Sequence, residues 1–557
     1  MSSAGNGGYD FSQLFHASHL SYSPGSTFLA TVHLNKIIIR SSSTLSIVRI
    51  FQCLLPPESS SKVQPLDIAI DQLLWSSDSL YLIAYSGKVR TGWLFGLTQD
   101  GRGEGGEVAR LGGEGVDGLV KVEWGKGDRE ILTWSDYGLH LTIHDLMTGE
   151  TRQIQHPRSP NNCHTYSPDS RHLAVLERHS GKDFVGIYDT QDSYALLRHF
   201  PLGLNNAQEI SWSPCGRYIA ASDDSIHYLL HLYTPLGTHL VSFDASSPSF
   251  NLESASHDPA LGIRCFSWAP GGRWILIAGW DGKVRVVESE GGRCVAIMAW
   301  PNRTIEAETV VWSEPRDWLR DCKGHGIVQF DRVKTPASLP FVKSDFSHFP
   351  PRSGVSHICF DTKGTYFFVR QDTQPSLLHV HSFLPSAQSS SPDIKHIAVL
   401  LFSQPIRSAT WCLTRRKLAI ATRSGAVFFW DGDGGWVDDD SMRDSTASES
   451  KAGMMEAVGI PTRVNFKTSD IVWSPDGTSL GILDKSSTQF CLLYEEYTGD
   501  TSSALGVETT SQRRWDGIDQ LSHVMEEDED EAVDASVLTS LAETEALWTQ
   551  RRNGILA

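Results

Sequence analysis

His140 and His144 stand four residues apart, and Cys322 precedes His325 by three; both spacings occur among zinc ligands. His140 and His144 fall in a strand-like stretch and would face one side of it. Two histidines leave a tetrahedral ion half satisfied, and Cys322 and His325 have no second pair nearby. The acidic runs Asp438 to Asp440 and Glu526 to Glu531 offer oxygens without fixed geometry, so they read as solvated surface rather than a calcium site. Gly87-Lys88, Gly125-Lys126, Gly181-Lys182 and Gly282-Lys283 all lack the upstream glycine of a phosphate-binding loop. The sequence contains no H-E-x-x-H. The expectation is therefore no catalytic, cofactor-binding or metal site, no cofactor, and no enzyme activity.

The informative residues are structural. Nine times an aromatic is followed by a tight polar turn and, seven positions on, by an apolar residue. The aromatics are Tyr22, Trp75, Trp124, Tyr166, Trp212, Trp268, Phe360, Trp411 and Trp473. Their partners are Leu29, Leu82, Ile131, Leu173, Ile219, Ile275, Phe367, Leu418 and Leu480. Ser474-Pro-Asp-Gly477 displays the turn chemistry: Pro presets φ, Asp bonds its own backbone, and Gly accepts positive φ. The aromatic ends one strand and its partner lies in the next, both facing one layer. Successive aromatics lie from 42 residues apart (Trp124 to Tyr166) to 92 (Trp268 to Phe360). Repeats of about 40–45 residues with this signature are four-stranded propeller blades, which cannot bury both faces alone and must stack around an axis.

The fold class is thus all-β, a β-propeller of WD-repeat type with nine clear repeats and one degenerate. Trp430-Asp431 is a WD dipeptide; most other copies lack it. Trp312 and Leu319 suggest the tenth, weak copy inside the long gap after Trp268. One large ring is favoured over two, and a strand near Phe11 to Ala17 could close it by pairing with the last blade.

The chain has 557 residues, 40% hydrophobic and 10% aromatic, enough for a large core. Its 48 basic and 66 acidic residues give a net charge of −18, and no basic cluster suits nucleic acid. Nine cysteines without a C-x-x-C pair fit a reducing compartment. Neither a signal peptide nor an apolar stretch of the ~20 residues needed to cross a membrane is evident, so no membrane partner is expected.

Domain organisation reads as a propeller over residues 9–495 and an acidic linker with a helical tail over 496–557. Within the propeller, 101–118 reads as a Gly-rich loop, 382–393 as a Ser/Pro-rich loop, and 431–459 as an acidic disordered segment. In the tail, Val537, Leu541 and Trp548 recur at near-helical spacing and are candidate partner contacts on an amphipathic helix. Ser159, Ser247 and Ser391 precede proline in loops and are candidate phosphorylation positions.

Several stretches, in order along the chain, carry a more specific likeness. They include Asp10-Phe-Ser-Gln-Leu-Phe15, Leu196-Leu-Arg-His-Phe200, Glu209-Ile-Ser-Trp-Ser-Pro214 and Gly262-Ile-Arg-Cys-Phe-Ser-Trp-Ala-Pro270. Asp281-Gly-Lys-Val-Arg285, Lys417-Leu-Ala-Ile-Ala-Thr422 and Phe490-Cys-Leu-Leu-Tyr494 continue the series. Over residues 9–495 the chain resembles the centrosomal and spindle-pole-body WD-repeat family, the WRAP-type proteins. That resemblance implies a cytoplasmic, non-enzymatic scaffold at a microtubule-organising centre. Its implied partners are a coiled-coil spindle-pole adaptor and a minus-end-directed kinesin, and its implied role is minus-end anchoring and spindle organisation. A generic WD-repeat adaptor of a translation or ubiquitin complex, or a propeller enzyme, are the alternatives.

Removing residues 499–557 should leave the ring folded. Circular dichroism and thermal unfolding of the shortened chain check this; loss of soluble protein would contradict the domain boundary.

Overall fold

The computed structural model describes residues 8–495, apart from 56–67, 98–105, 113–117, 127–128, 160, 245–260, 301–302, 305–308, 323, 325, 348–350, 386–390, 434–452 and 463–464. The tail 496–557, with Val537, Leu541 and Trp548, and most of the acidic segment lie outside the described residues.

The polar turns fold locally. Ser474 Oγ accepts the Ser479 N–H at 3.0 Å and donates to Asp476 Oδ1 at 2.6 Å. Asp476 Oδ1 accepts the Thr478 N–H at 3.1 Å, and Gly477 adopts φ +72°. Ser23, Ser76, Ser167 and Ser213 accept the N–H five residues on in the same way. Each turn therefore fixes the register of its hairpin. All nine aromatics stand opposite their i+7 partners across two antiparallel strands, from Tyr22 opposite Leu29 to Trp473 opposite Leu480.

Blades 1 to 9 occupy residues 19–52, 72–112, 119–155, 164–201, 209–244, 263–299, 355–401, 408–459 and 470–495. Chain order runs from the first strand, which meets the first strands of neighbouring blades at the axis, to the outer strand. Alternation along the strands sends successive side chains to opposite neighbours. In blade 8, Leu418 and Ile420 pack towards blade 7, while Ala419 and Ala421 pack towards blade 9. Nine hydrophobic clusters each join two consecutive blades, and one of them joins blade 9 to blade 1. The result is a single ring of nine blades, larger than the usual four to about eight. Every aromatic–partner pair packs against the preceding blade.

A hydrogen bond reinforces four of these seams. The indole N–H groups of Trp75, Trp124, Trp411 and Trp473 donate to the carbonyls of Ser21, Leu74, Cys359 and Thr410, at 2.9–3.2 Å. Each acceptor precedes the aromatic of the blade before. Trp212 donates instead to Gly216 in its own turn at 3.0 Å. Trp268 Nε1 is buried with no hydrogen-bond partner among the described residues.

Blade 9 has only three strands of its own. Tyr9–Phe11 pairs antiparallel with Gln489–Glu495, and Phe15–His16 extends that edge. The two chain ends of the propeller thus complete one blade. Lys417, 3% exposed, reinforces the closure. Its Nζ donates to the Tyr9 hydroxyl at 2.8 Å and Glu495 Oε1 at 3.0 Å, and lies 3.6 Å from Glu456 Oε1.

The tenth copy builds no blade. Val310–Ser313, carrying Trp312, runs parallel to the outer strand of blade 7, Asp393–Leu401, and Asp331–Val333 pairs beyond it. Leu319 sits in the one α-helix among the described residues, Trp318–Asp321, rather than opposite Trp312. After Glu314-Pro-Arg-Asp317 the chain does not turn back into a hairpin strand: Asp317 takes φ +56° and leads into the helical turn Trp318–Asp321. The same insertion supplies Gly326–Gln329 to the outer edge of blade 8, so it thickens two blades at their rims. Three loop expectations also need correction. Glu107–Gly112 is the outer strand of blade 2, and Met454–Gly459 is the outer strand of blade 8 before the insertion is added. Ser382 to Leu384 and Asp393 belong to strands. The open edges of the preceding strands pair Glu107–Gly112 and Met454–Gly459, burying apolar residues such as Leu111 and Met455 there although the surrounding segments are polar.

Trp473→Ala should destabilise the ring by about 3–5 kcal/mol through lost packing, and Trp473→Phe by about 1–2 kcal/mol through the unmet Thr410 carbonyl. Urea unfolding of the two variants checks the order.

Candidate interaction face

The aromatic residues singled out in the sequence are positioned by the hairpins to hold blades together, and they offer no reactive surface. Tyr22, Trp75, Trp212, Trp268, Trp411 and Trp473 are 7–9% exposed, and Trp124, Tyr166 and Phe360 are half-buried. Functional groups gather elsewhere, on the face that carries the second-to-third-strand hairpins and the connections between blades. There a cleft of about 740 Å³ spans blades 4, 5 and 6.

The cleft floor is the connection between blades 4 and 5, pinned from both sides. Asp183 of blade 4, 1% exposed, accepts the Ala207 N–H at 2.8 Å. Asp223 of blade 5, also 1% exposed, accepts the N–H groups of Asn205 and Asn206 at 3.2 and 2.7 Å. Arg158 and Arg178 stand 3.7 and 3.8 Å from Asp183 Oδ1, and both donate to Asn206 Oδ1. On the far wall, the Arg264 guanidinium lies 4.5 Å from the Trp280 ring centre and reaches Asp372 of blade 7 at 2.6 Å. Asp224 holds the hairpin beside it by accepting the Ile226 and His227 N–H groups, leaving Ile226 68% exposed at the rim.

Positioned charges beside one exposed apolar side chain offer fixed donors and acceptors and, at Ile226, apolar area. Glu209 opens the first strand of blade 5 inside the cleft, and burial pushes its carboxyl up to about 7. It therefore takes up a proton as the pH falls through neutrality.

His140 and His144 do stand on one strand, but they part company. His140 Nδ1 meets Gln155 Oε1 at 3.0 Å, and His144 Nε2 meets Thr133 Oγ1 at 3.0 Å. Cys322 is a free thiol and His325 lies outside the described residues. Sequence spacing missed two other histidine groups. One is Glu177, His179 and His199 on blade 4, gathered around one carboxylate. The other is His379, His381 and His396 on blade 7, packed against Trp300. Burial drives His379 and His381 well below the ordinary histidine range and His396 to about 4, so this second group is neutral and structural. In each group two residues stand two apart on one strand, Glu177 with His179 and His379 with His381, whereas strand pairing brings in the third, His199 or His396, which no spacing rule links to them.

A ring of aromatic-hinged, four-stranded hairpin blades is a WD-repeat β-propeller. The WD domain, G-beta repeat family matches residues 251–288, ending on the third strand of blade 6, Lys283–Glu288. The chain is similar to WD repeat-containing protein WRAP73 of Mus musculus, 26% identical over 504 residues, covering 87% of this chain and 96% of that protein. It is 22% identical over 324 residues to an uncharacterized WD repeat-containing protein of Schizosaccharomyces pombe, covering 56% of this chain and 62% of that protein. Among solved structures, the C-terminal WD40 domain of Sif2 is 12% identical, with 81% of this chain and 99% of that one covered and a TM-score of 0.43. No helix among the described residues is long and apolar enough to cross a membrane.

Buried neutral histidines bind fewer protons when folded than when unfolded, so stability should fall as pH drops from about 6.5, the unfolded value, towards the folded value of about 4 for His396 and His231. Glu209 acts in the opposite sense. Its folded value near 7 exceeds the unfolded one, so stability is lost as pH rises through 7. Glu209→Gln should therefore stabilise the ring by about 1–3 kcal/mol at pH 8, with the gain shrinking as the medium is acidified. Thermal melts across pH check both signs.

Proposed function

We propose that this chain is a non-enzymatic protein-docking scaffold of the cytoplasm that works at a spindle pole body or centrosome. The observation that carries the docking role is the cleft across blades 4–6, where charges from four blades are held in place by buried aspartates and an arginine–tryptophan stack. A pre-set polar surface of this kind recognises another macromolecule at little ordering cost. The likeness to WRAP73 over 87% of the chain, and the ordered motifs from Asp10 to Tyr494, support the particular setting. In that setting the ring holds a coiled-coil adaptor on one surface and a minus-end-directed kinesin on another. Nine blades give it enough rim and face to engage both at once, anchoring microtubule minus ends and organising the spindle.

A tagged full chain, expressed at its native level, tests the reading. It should concentrate at the poles of mitotic spindles and co-purify with a coiled-coil pole protein. Ile226→Asp, placed on an exposed residue at the cleft rim, should cut that recovery about tenfold, the effect of ~1.4 kcal/mol at an interface, without changing the circular dichroism. A diffuse distribution with translation or ubiquitin factors as partners would overturn the pole assignment.

A further inference from the structure

Blade 4 carries a cluster that neither ring packing nor the cleft requires. Glu177 and His179 lie on its second strand, His172–His179, and His199 lies on its outer strand, Ala195–Pro201. The third strand, Lys182–Asp189, runs between them. Glu177 can reach across it because residue 186 is glycine. A Cβ there would stand 2.2 Å from Glu177 Oε1 and 2.7 Å from the Tyr188 ring. A glycine inside a strand marks such a close approach.

The carboxylate that crosses is 3% exposed and fully oriented. The Tyr188 hydroxyl donates to Oε1 at 2.6 Å. His179 Nε2 and His199 Nε2 meet the other oxygen, Oε2, at 2.8 and 3.2 Å. The His199 ring stacks on Phe184 with centroids 4.8 Å apart, and the His179 ring stands edge-on to Phe184 and His156. Both imidazoles are thus held with Nε2 aimed at a single oxygen, and each remains about a third exposed, at 35% and 32% of its side chain.

We propose that Glu177, His179 and His199 form a binding site for a divalent transition-metal ion, with zinc the best match. Two imidazole nitrogens and one carboxylate oxygen are a borderline-soft set that suits zinc and disfavours calcium or magnesium. The three ligand atoms all lie within 4.8 Å of one another. Around a tetrahedral zinc with ligand bonds of about 2.0–2.1 Å, neighbouring ligand atoms stand roughly 3.3 Å apart. The two nitrogen–oxygen separations therefore need to open by only a few tenths of an ångström, which the half-buried imidazoles permit. On binding, each imidazole shifts its proton from Nε2 to Nδ1, so the metal replaces two N–H···O bonds. Tyr188 keeps Oε1 and orients the carboxylate from behind, the usual support of a metal-ligating carboxylate. Solvent supplies the fourth ligand. The ion would clip the second strand to the outer strand across the third, tightening the edge of blade 4 that faces blade 3.

The test uses the full chain stripped with EDTA and then titrated with zinc alone by calorimetry. One equivalent should bind, the melting temperature should rise, and affinity should fall at least about tenfold in His179→Gln and in His199→Gln. His140→Gln, outside the cluster, should bind as the parent does. Should either cluster variant fail to fold, cobalt loading of the parent chain decides. A tetrahedral nitrogen–oxygen spectrum without a thiolate charge-transfer band supports the site. No saturable binding, binding untouched by both variants, or a thiolate band would overturn it.

Discussion

Each blade has two apolar faces and no means of covering either, so the whole structure rests on the last blade meeting the first. A four-stranded sheet buried on both faces reads as continuous apolar strand, as in Trp274–Gly279, where all six residues are buried. An open stack of such blades would leave two of these faces in water. Closure solves the problem once, through the Phe15, Tyr22, Leu29 and Phe490 cluster between blades 9 and 1. Because the outer strand of blade 9 comes from the N-terminal end, the ring cannot close until both ends of the propeller have been gathered. That makes the fold non-local and cooperative.

The seam hardware follows from this demand. The phrase that makes a hairpin also glues its blade to the one before, since the aromatic and its i+7 partner share one face. Four tryptophans add a hydrogen bond to the neighbouring first strand, converting a greasy contact into one with a defined register. Where the N-terminal strand joins blade 9 beside blade 8, a second device is added. Lys417 sits under two aromatic rings and is matched by Glu495, Glu456 and the Tyr9 hydroxyl, with Arg415 also on Glu495 at 2.6 Å. A buried cation so enclosed has few alternative arrangements, which favours the correct end-strand over other polar strands of similar length.

A rigid ring leaves function to its edges. The hairpin turns on one face are short and internally bonded, whereas the opposite face combines charged hairpins with inter-blade connections. Aspartates there, at 183 and 223, face inward to hold backbone; Arg158 and Arg178 are set against Asp183, and Arg264 against Asp372. The result is a surface whose charges are already oriented before any partner arrives.

Much of this was legible from residue spacing. Aromatic, turn and i+7 apolar residue are local features, so the sequence alone determined the hairpins, their register and the preference for a single ring closed near Phe11. What it could not determine depends on contacts between residues distant along the chain. Trp312 and Leu319 carry the right spacing, yet the strand holding Trp312 found a free parallel edge on blade 7 and became an addition to it. Met454–Gly459 looked too acidic in context for a strand, but the open edge of Ala426–Asp431 took it. Glu177 and His199 lie 22 residues apart and have no spacing rule to link them; a glycine on the strand between lets the carboxylate cross. Turn chemistry and hydrophobic period act over a few residues and are written in the sequence, whereas the partner of a sheet edge or a buried carboxylate is chosen only when the ring brings the candidates together.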